Sequence, residues 1–309
     1  MMTNSGLLLV DKQSGCTSHD VVAQARKVLQ TREVGHAGTL DPLASGLMVL
    51  LIGQATRLSD YLMEGEKSYE VHFKLGVQTD TLDAEGEVTA VKDTSGLVEA
   101  ATLAVMHALS GEFEWDIPMY SAKKVQGKKL YEYARQDQVL AERPKKRMDF
   151  VVVDCGLHSR DSGWAILRCS KGSFIRSWVD ELGKSLGVGG HVTVLRRLSS
   201  GHHSVKQAVK QSEFFNLGNA LWNQLIRLDQ SLPHCPSLNI HGRESHAVLC
   251  GRLSFDLKSR LFPILDPERA PLLMIKDFDS QNLLALVGCS RDKGIHIRRV
   301  FPSSTLTTS

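Results

Sequence analysis

Residues Gly35-His36-Ala37-Gly38-Thr39-Leu40-Asp41-Pro42-Leu43-Ala44-Ser45-Gly46 set one carboxylate in a loop with three glycines. No cysteine, lysine or Ser/His pair of catalytic type stands beside it. Glycine allows backbone shapes that other residues resist and lets a ligand approach the main chain closely. Pro42 fixes its own φ and pushes Asp41 away from helical geometry. A carboxylate held in such a loop can act as a nucleophile or a base. It can also simply start a turn, as Asp-Pro often does. From the loop alone both readings stand.

Either role needs elements that hold the loop. Leu7 to Val10 reads as a buried strand. Thr17 and Ser18 are good N-caps, with Asp20 placed for a capping box, and Val21, Val22, Ala25, Val28 and Leu29 continue as a helical stripe. After the loop, Leu47 to Ile52 reads as a second strand. Tyr69, Val71, Phe73 and Leu75 share one face of a third, opposite Glu70, His72 and Lys74. Helices are expected near 97–109, 129–137 and 173–186, with Gly111 and Gly187 at helix stops. Strands are expected at 150–157, 164–169 and 192–198, and helical signal returns over 205–227. This mixture lacks a regular βαβ rhythm and points to an α+β fold. Past residue 231 the texture shifts to short apolar runs such as Leu272-Ile275 and Leu283-Val287, the pattern of a small β-rich unit. The expected division is 1–230 and 231–309.

A chain of 309 residues suits about two domains. Net charge is only +3, but its distribution is uneven. From Lys123 to Arg147 nine basic residues face three acids, and from Arg168 to Arg197 six face two. Such local density is the footprint of phosphate binding, or else a solvated face. The six cysteines (16, 155, 169, 235, 250 and 289) form no C-x-x-C pair and no zinc spacing, and read as reduced thiols of a cytosolic protein. The apolar runs are too short to span a bilayer, and no signal peptide is evident, so a cytoplasmic protein without membrane contact is expected. No P-loop, dinucleotide fingerprint or metal constellation is present.

The Asp41 loop resembles the active-site motif of the TruB family, the bacterial tRNA pseudouridine-55 synthases. Further blocks follow in that family's order: Gly6 to Lys12, Lys67 to Val71, Thr79 to Gly86, Met119 to Lys123, Gly127 to Arg135, Cys169 to Ser177 and His191 to Leu198. The resemblance covers roughly residues 6 to 200. It implies a pseudouridine-synthase catalytic domain with a mixed, mainly antiparallel sheet, followed by a small PUA-like RNA-binding domain. It implies that Asp41 is the essential catalytic aspartate. Arg176 matches the arginine that pairs with it, aiming the carboxylate through two parallel hydrogen bonds. Read without that context, Arg176 is a phosphate-binding residue.

Tyr69 matches the active-site tyrosine that stacks on the flipped base; by strand pattern alone it is a core aromatic. Leu195 matches the apolar residue that helps enclose the base. His36 is expected near the flipped nucleotide. Lys12 and Asp83 also match motif positions, with loop support implied for Lys12 and substrate contact for Asp83. Tyr120, Tyr131 and Tyr133 interleave with Lys123, Lys124, Lys128, Lys129 and Arg135, which suits an RNA loop. Tyr120, Lys123, Lys128 and Lys129 are therefore counted with the substrate-binding residues. Three departures stand out: Gln13 where proline usually follows the lysine, Phe174 where tyrosine is common, and Lys124 where an apolar residue is frequent.

Isomerising uridine breaks N1–C1′ and joins C5 to C1′, so no cofactor or metal is implied. The base must be flipped from its stack, at a cost of a few kcal/mol. The implied partner is tRNA, through its T-loop and T-stem, met by a monomer. A second reading makes the chain an RNA-folding helper whose catalysis is dispensable. A third has it act on other RNA.

Overall fold

The computed structural model describes residues 5–121, 123–125, 127–134, 136, 144–268 and 271–302. Strand β1 spans Gly6–Lys12 and β2 spans Ser45–Ile52. They pair antiparallel and are buried along almost their whole length. Continuous apolar runs of this kind suit strands covered on both faces. Between them, α1 (Ser18–Leu29) starts at the expected capping box of Thr17 and Asp20. Strand β3 (Lys67–Leu75) buries Tyr69, Val71, Phe73 and Leu75 and leaves Glu70, His72 and Lys74 half-exposed, as its alternation requires.

Helix α2 (Glu99–Ala108), strands β4 (Gly111–Asp116), β5 (Lys145–Ser159) and β6 (Ser162–Cys169), helix α3 (Ile175–Ser185) and β7 (Gly190–Ser200) complete the first part. The large sheet runs β1-β2-β7-β3-β6-β5-β4. It is antiparallel along this path except where β2 meets β7 at Ser45–Arg196 and Gly46–Arg197. Gly187 ends α3 as expected, its N–H donating to Lys184 O at 2.9 Å. Gly111 instead opens β4. Near residue 130 the described helix is only Leu130–Ala134.

The stretch 205–227 carries its expected helical signal in short pieces. Single-turn and two-turn 3-10 helices at Val205–Gln207, Gln211–Glu213 and Gly218–Gln224 accompany a four-residue α-helix (Phe214–Leu217), and two-residue strands at 209–210 and 226–227 pair with β1. The pairing partner for those residues is the edge of a distant strand, and a propensity argument within the segment cannot see it.

A second sheet contains β8 (Ser237–Ile240), β9 (Leu272–Asp277), β10 (Leu283–Ser290) and β11 (Gly294–Val300), in that spatial order. It is β-rich as expected, and it also carries helices α4 (Arg243–Leu249) and α5 (Phe255–Leu261). Strand alternation divides β1 and β2 between two cores. Leu8, Val10, Met48 and Leu50 pack with α1 and α3 residues such as Val22 and Trp178. Leu7, Leu9, Leu47, Val49 and Leu51 pack with Met274, Leu283 and Leu286 of the second sheet and with Phe301 just beyond its last strand. One apolar layer thus crosses the expected division at residue 231. Among the described residues no helix is long and apolar enough to cross a membrane.

Candidate active site

The Asp41 loop is clamped from several directions. Lys12, 1% exposed, points its ammonium under the loop and donates to Ala44 O at 2.6 Å, Gln13 O at 2.9 Å and Pro42 O at 3.3 Å. Burial holds this ammonium below the usual lysine range. Ser18, at the start of α1, accepts from Leu40 N–H at 2.8 Å and donates to Leu40 O at 3.0 Å. From β7, Arg197 donates Nε to Leu47 O at 2.6 Å, Nη2 to Gly38 O at 3.1 Å and Nη1 to Thr39 O at 3.3 Å. Arg197 is also 1% exposed. Its close approach requires Gly46, whose φ is +97° and where a Cβ would lie 2.3 Å from Arg197 O.

Arg176, in the first turn of α3, stands opposite. Its Nη2 lies 2.9 Å from Asp41 Oδ2, with the arginine side chain 5% exposed and the carboxylate 39%. The expected pair of parallel hydrogen bonds to Asp41 is absent. The guanidinium divides itself instead: Nη1 donates to Thr81 O at 2.7 Å and Nη2 to Tyr120 O at 2.8 Å. Asp83 Oδ2 lies 3.6 Å from Nη1. Those backbone acceptors fix the fork in a plane that offers Asp41 one corner.

Tyr69, Leu195, Arg176 and Arg197 line one cleft of about 630 Å³ with Asp41. The cleft is the size of a small-molecule site, with apolar surface from Leu40, Ile117, Phe174 and Ile175. Burial raises the Tyr69 phenol above its ordinary range, against the charge of Arg197. Tyr69 therefore stays protonated near neutrality and can donate. The constellation offers a carboxylate at the edge of solvent, a fixed cation beside it and a ring with a donor hydroxyl. It can hold a flat polar ring while the carboxylate meets an attached electrophilic carbon.

The remaining predicted residues are placed variously. Lys123 lines the cleft. Lys12 lies beneath the loop, outside the cleft wall. Asp83 is buried behind Arg176 and organises its own turn, accepting from Thr81 Oγ1 at 2.6 Å and Glu85 N–H at 3.1 Å. His36 is half-buried off the cleft wall, with Nδ1 lacking a hydrogen-bond partner among the described residues. Burial, then Arg197 and His19, holds its imidazole below the ordinary histidine range. Tyr120 takes part through its carbonyl on Arg176. Lys128 lies 4.5 Å over the Tyr133 ring and hydrogen-bonds Gln136, away from the cleft. The side chains of Lys129 and Tyr131, and all of Arg135, lie outside the described residues. Arg197 was missed by residue reading, although a signal existed: it stands two places beyond Leu195 on the same strand, hence on the same face. The six cysteines are free thiols, and burial pushes Cys169 up to about 12.

Residues 26–175 match the family described as TruB family pseudouridylate synthase (N terminal domain). A Bdellovibrio bacteriovorus protein named tRNA pseudouridine synthase B is 41% identical over 309 residues, covering 98% of this chain and 100% of that one. A protein of the same name from Cupriavidus pinatubonensis is 37% identical over 271 residues, 86% of this chain and 83% of that one. Among solved structures, a chain of a Cbf5–Nop10–Gar1 complex has the same fold, with a TM-score of 0.69 at 21% identity, covering 98% of this chain and 86% of that one.

Proposed function

The chain belongs to the TruB family of pseudouridylate synthases, and on that premise we propose that it isomerises uridine 55 in the T-loop of tRNA. The reaction breaks N1–C1′, turns the base, forms C5–C1′, removes a proton from C5 and places one on N1, so substrate and product are isomers. Asp41 supplies the carboxylate at the sugar. Arg176 aims it, Tyr69 stacks on the extracted base, and Leu195 closes the slot. Stacking and polar contacts in the cleft offset the few kcal/mol of extraction. The basic rim takes the phosphates, and residues 231–309 form the accessory RNA-binding unit. Opening the tRNA elbow to reach the base also gives the RNA a chance to refold. The enzyme acts as a monomer in the cytoplasm.

The observation that carries this reading is the Arg176–Asp41 contact at 2.9 Å on the edge of a cleft that Tyr69 lines. The test is incubation with unmodified tRNA transcript and mapping by carbodiimide-dependent reverse-transcription stops. A stop at uridine 55, lost with Asp41→Asn, is expected. No stop in any tRNA with active protein overturns the reading.

A further inference from the structure

One wall of the cleft is cationic and takes no part in the bond-making steps above. Lys146, on β5, lies against the loop that leads into α3 and donates Nζ to Gly172 O at 2.9 Å and Lys171 O at 3.3 Å. The approach is tight enough that a Cβ on Gly172, where φ is +70°, would meet Nζ at 2.1 Å. Burial, then the charges of Lys123 and Lys171, holds the Lys146 ammonium below its ordinary range. Lys123 lines the same wall.

The carboxylates on this wall are engaged elsewhere: Asp60 lies 3.6 Å from Arg299, and Glu64 lies 2.6 Å from Lys171. Among the described residues neither Lys123 nor Lys146 has a carboxylate partner. Like charges gathered in a partly desolvated place cost free energy that a bound anion relieves. A second observation points the same way. Ser121 is 6% exposed, lines this cleft, and its hydroxyl has no hydrogen-bond partner among the described residues. Buried polar groups are normally satisfied, so this buried hydroxyl, left unpaired beside the cleft, marks a place for a ligand oxygen.

We propose that Ser121, Lys123 and Lys146 form a seat for one backbone phosphate of the RNA, adjoining the nucleotide held at Asp41. Two ammonium groups supply charge and the hydroxyl supplies a directional donor to a phosphoryl oxygen. Lys146 also ties the seat to the loop before Arg176, so the anchored strand and the arginine share one support. This inference rests on the reading of the chain as a tRNA-acting enzyme.

The experiment measures binding of unmodified tRNA across roughly 50 to 300 mM salt, with pseudouridine formation assayed in the same preparations. The double variant Lys123→Met/Lys146→Met is expected to lower the slope of log K against log salt by about 0.7–0.9, the increment of one phosphate, and each single change by about half of that. Ser121→Ala is expected to lose affinity several-fold with its slope intact. An unchanged slope in the double variant overturns the seat. Should Lys146→Met fail to fold, Lys146→Arg must keep the slope while Lys123→Met alone lowers it, and an unchanged slope in Lys123→Met then overturns the proposal. Wild-type protein that makes no pseudouridine in tRNA refutes the functional reading itself. Wild-type turnover with unchanged variant slopes refutes only the seat.

Discussion

Arg176 meets Asp41 through Nη2, 2.9 Å from the carboxylate, while the same nitrogen donates to Tyr120 O and Nη1 donates to Thr81 O. The arginine is set by its own surroundings, and the carboxylate is set by a separately clamped loop. Their contact joins two independently fixed parts, and single changes should separate aim from charge.

Asp41→Asn keeps the shape of the side chain and removes the charge. Pseudouridine formation should fall to background while tRNA affinity stays within about threefold, because the lost interaction belongs to the chemical step. Appreciable single-turnover conversion by this variant would remove Asp41 from the centre of the mechanism.

Arg176→Lys keeps a cation but cannot span Asp41, Thr81 O and Tyr120 O together. Losing charge-assisted hydrogen bonds of about 1.5–3 kcal/mol predicts a single-turnover rate roughly 10- to 100-fold lower at saturating tRNA. A phosphate-gripping arginine would instead tolerate lysine, with the loss appearing in affinity. A near-normal rate therefore sinks the pairing role.

Arg197→Met should destabilise the fold by about 3 kcal/mol or more, since it leaves the Gly38, Thr39 and Leu47 carbonyls without their donor in a buried place. Urea denaturation measures this. Arg197→Lys should recover part of the stability and little of kcat, because one ammonium cannot hold all three carbonyls at once. Wild-type stability for the Met variant would mean the clamp is ornamental.

Gly46→Ala should cost about 2 kcal/mol or more, from a positive φ and from the collision with the Arg197 carbonyl. Thermal unfolding tests it. Gly187→Ala is the control: it has a positive φ but nothing within 4 Å of its Cβ, so it should cost less.

His36 gives a pH dependence with a definite sign. Burial first, then Arg197 and His19, depresses its folded pKa below 6.5. The unfolded chain takes up the proton earlier as pH falls, so the favourable contribution is complete above about 6.5 and is lost as pH falls through the folded value. Tm measured from about pH 7.5 to 5 should drop less for His36→Gln than for wild type. An identical acid-side drop in both proteins would contradict this.

Much of the scaffold was legible because its signals are local. The capping box at Thr17–Asp20 and the alternation of Tyr69, Val71, Phe73 and Leu75 depend on neighbours a few residues apart. Asp41 and Arg176 were named from motif context. Their geometry was not readable, since the Arg176 fork is shared with carbonyls of Thr81 and Tyr120, far away in sequence. The same holds for Lys146, which acts through backbone contacts that leave no trace in residue type, whereas Arg197 could have been picked out by its place two residues beyond Leu195 on one strand face. The helical signal over 205–227 is broken into short pieces for a related reason: residues 209–210 and 226–227 pair with the edge of β1.

The two-sided burial of β1 and β2 bears on how the protein is made. A ribosome delivers these strands early, and their outer face, with Leu7, Leu9, Val49 and Leu51, is only partly covered, by residues such as Ala55, Leu58 and Leu62, until Met274, Leu286 and Phe301 emerge. Nascent chains that expose such a surface are sticky and draw on chaperones. A message truncated before β9 therefore yields an aggregation-prone fragment, even though Asp41, Tyr69 and Arg176 are already translated.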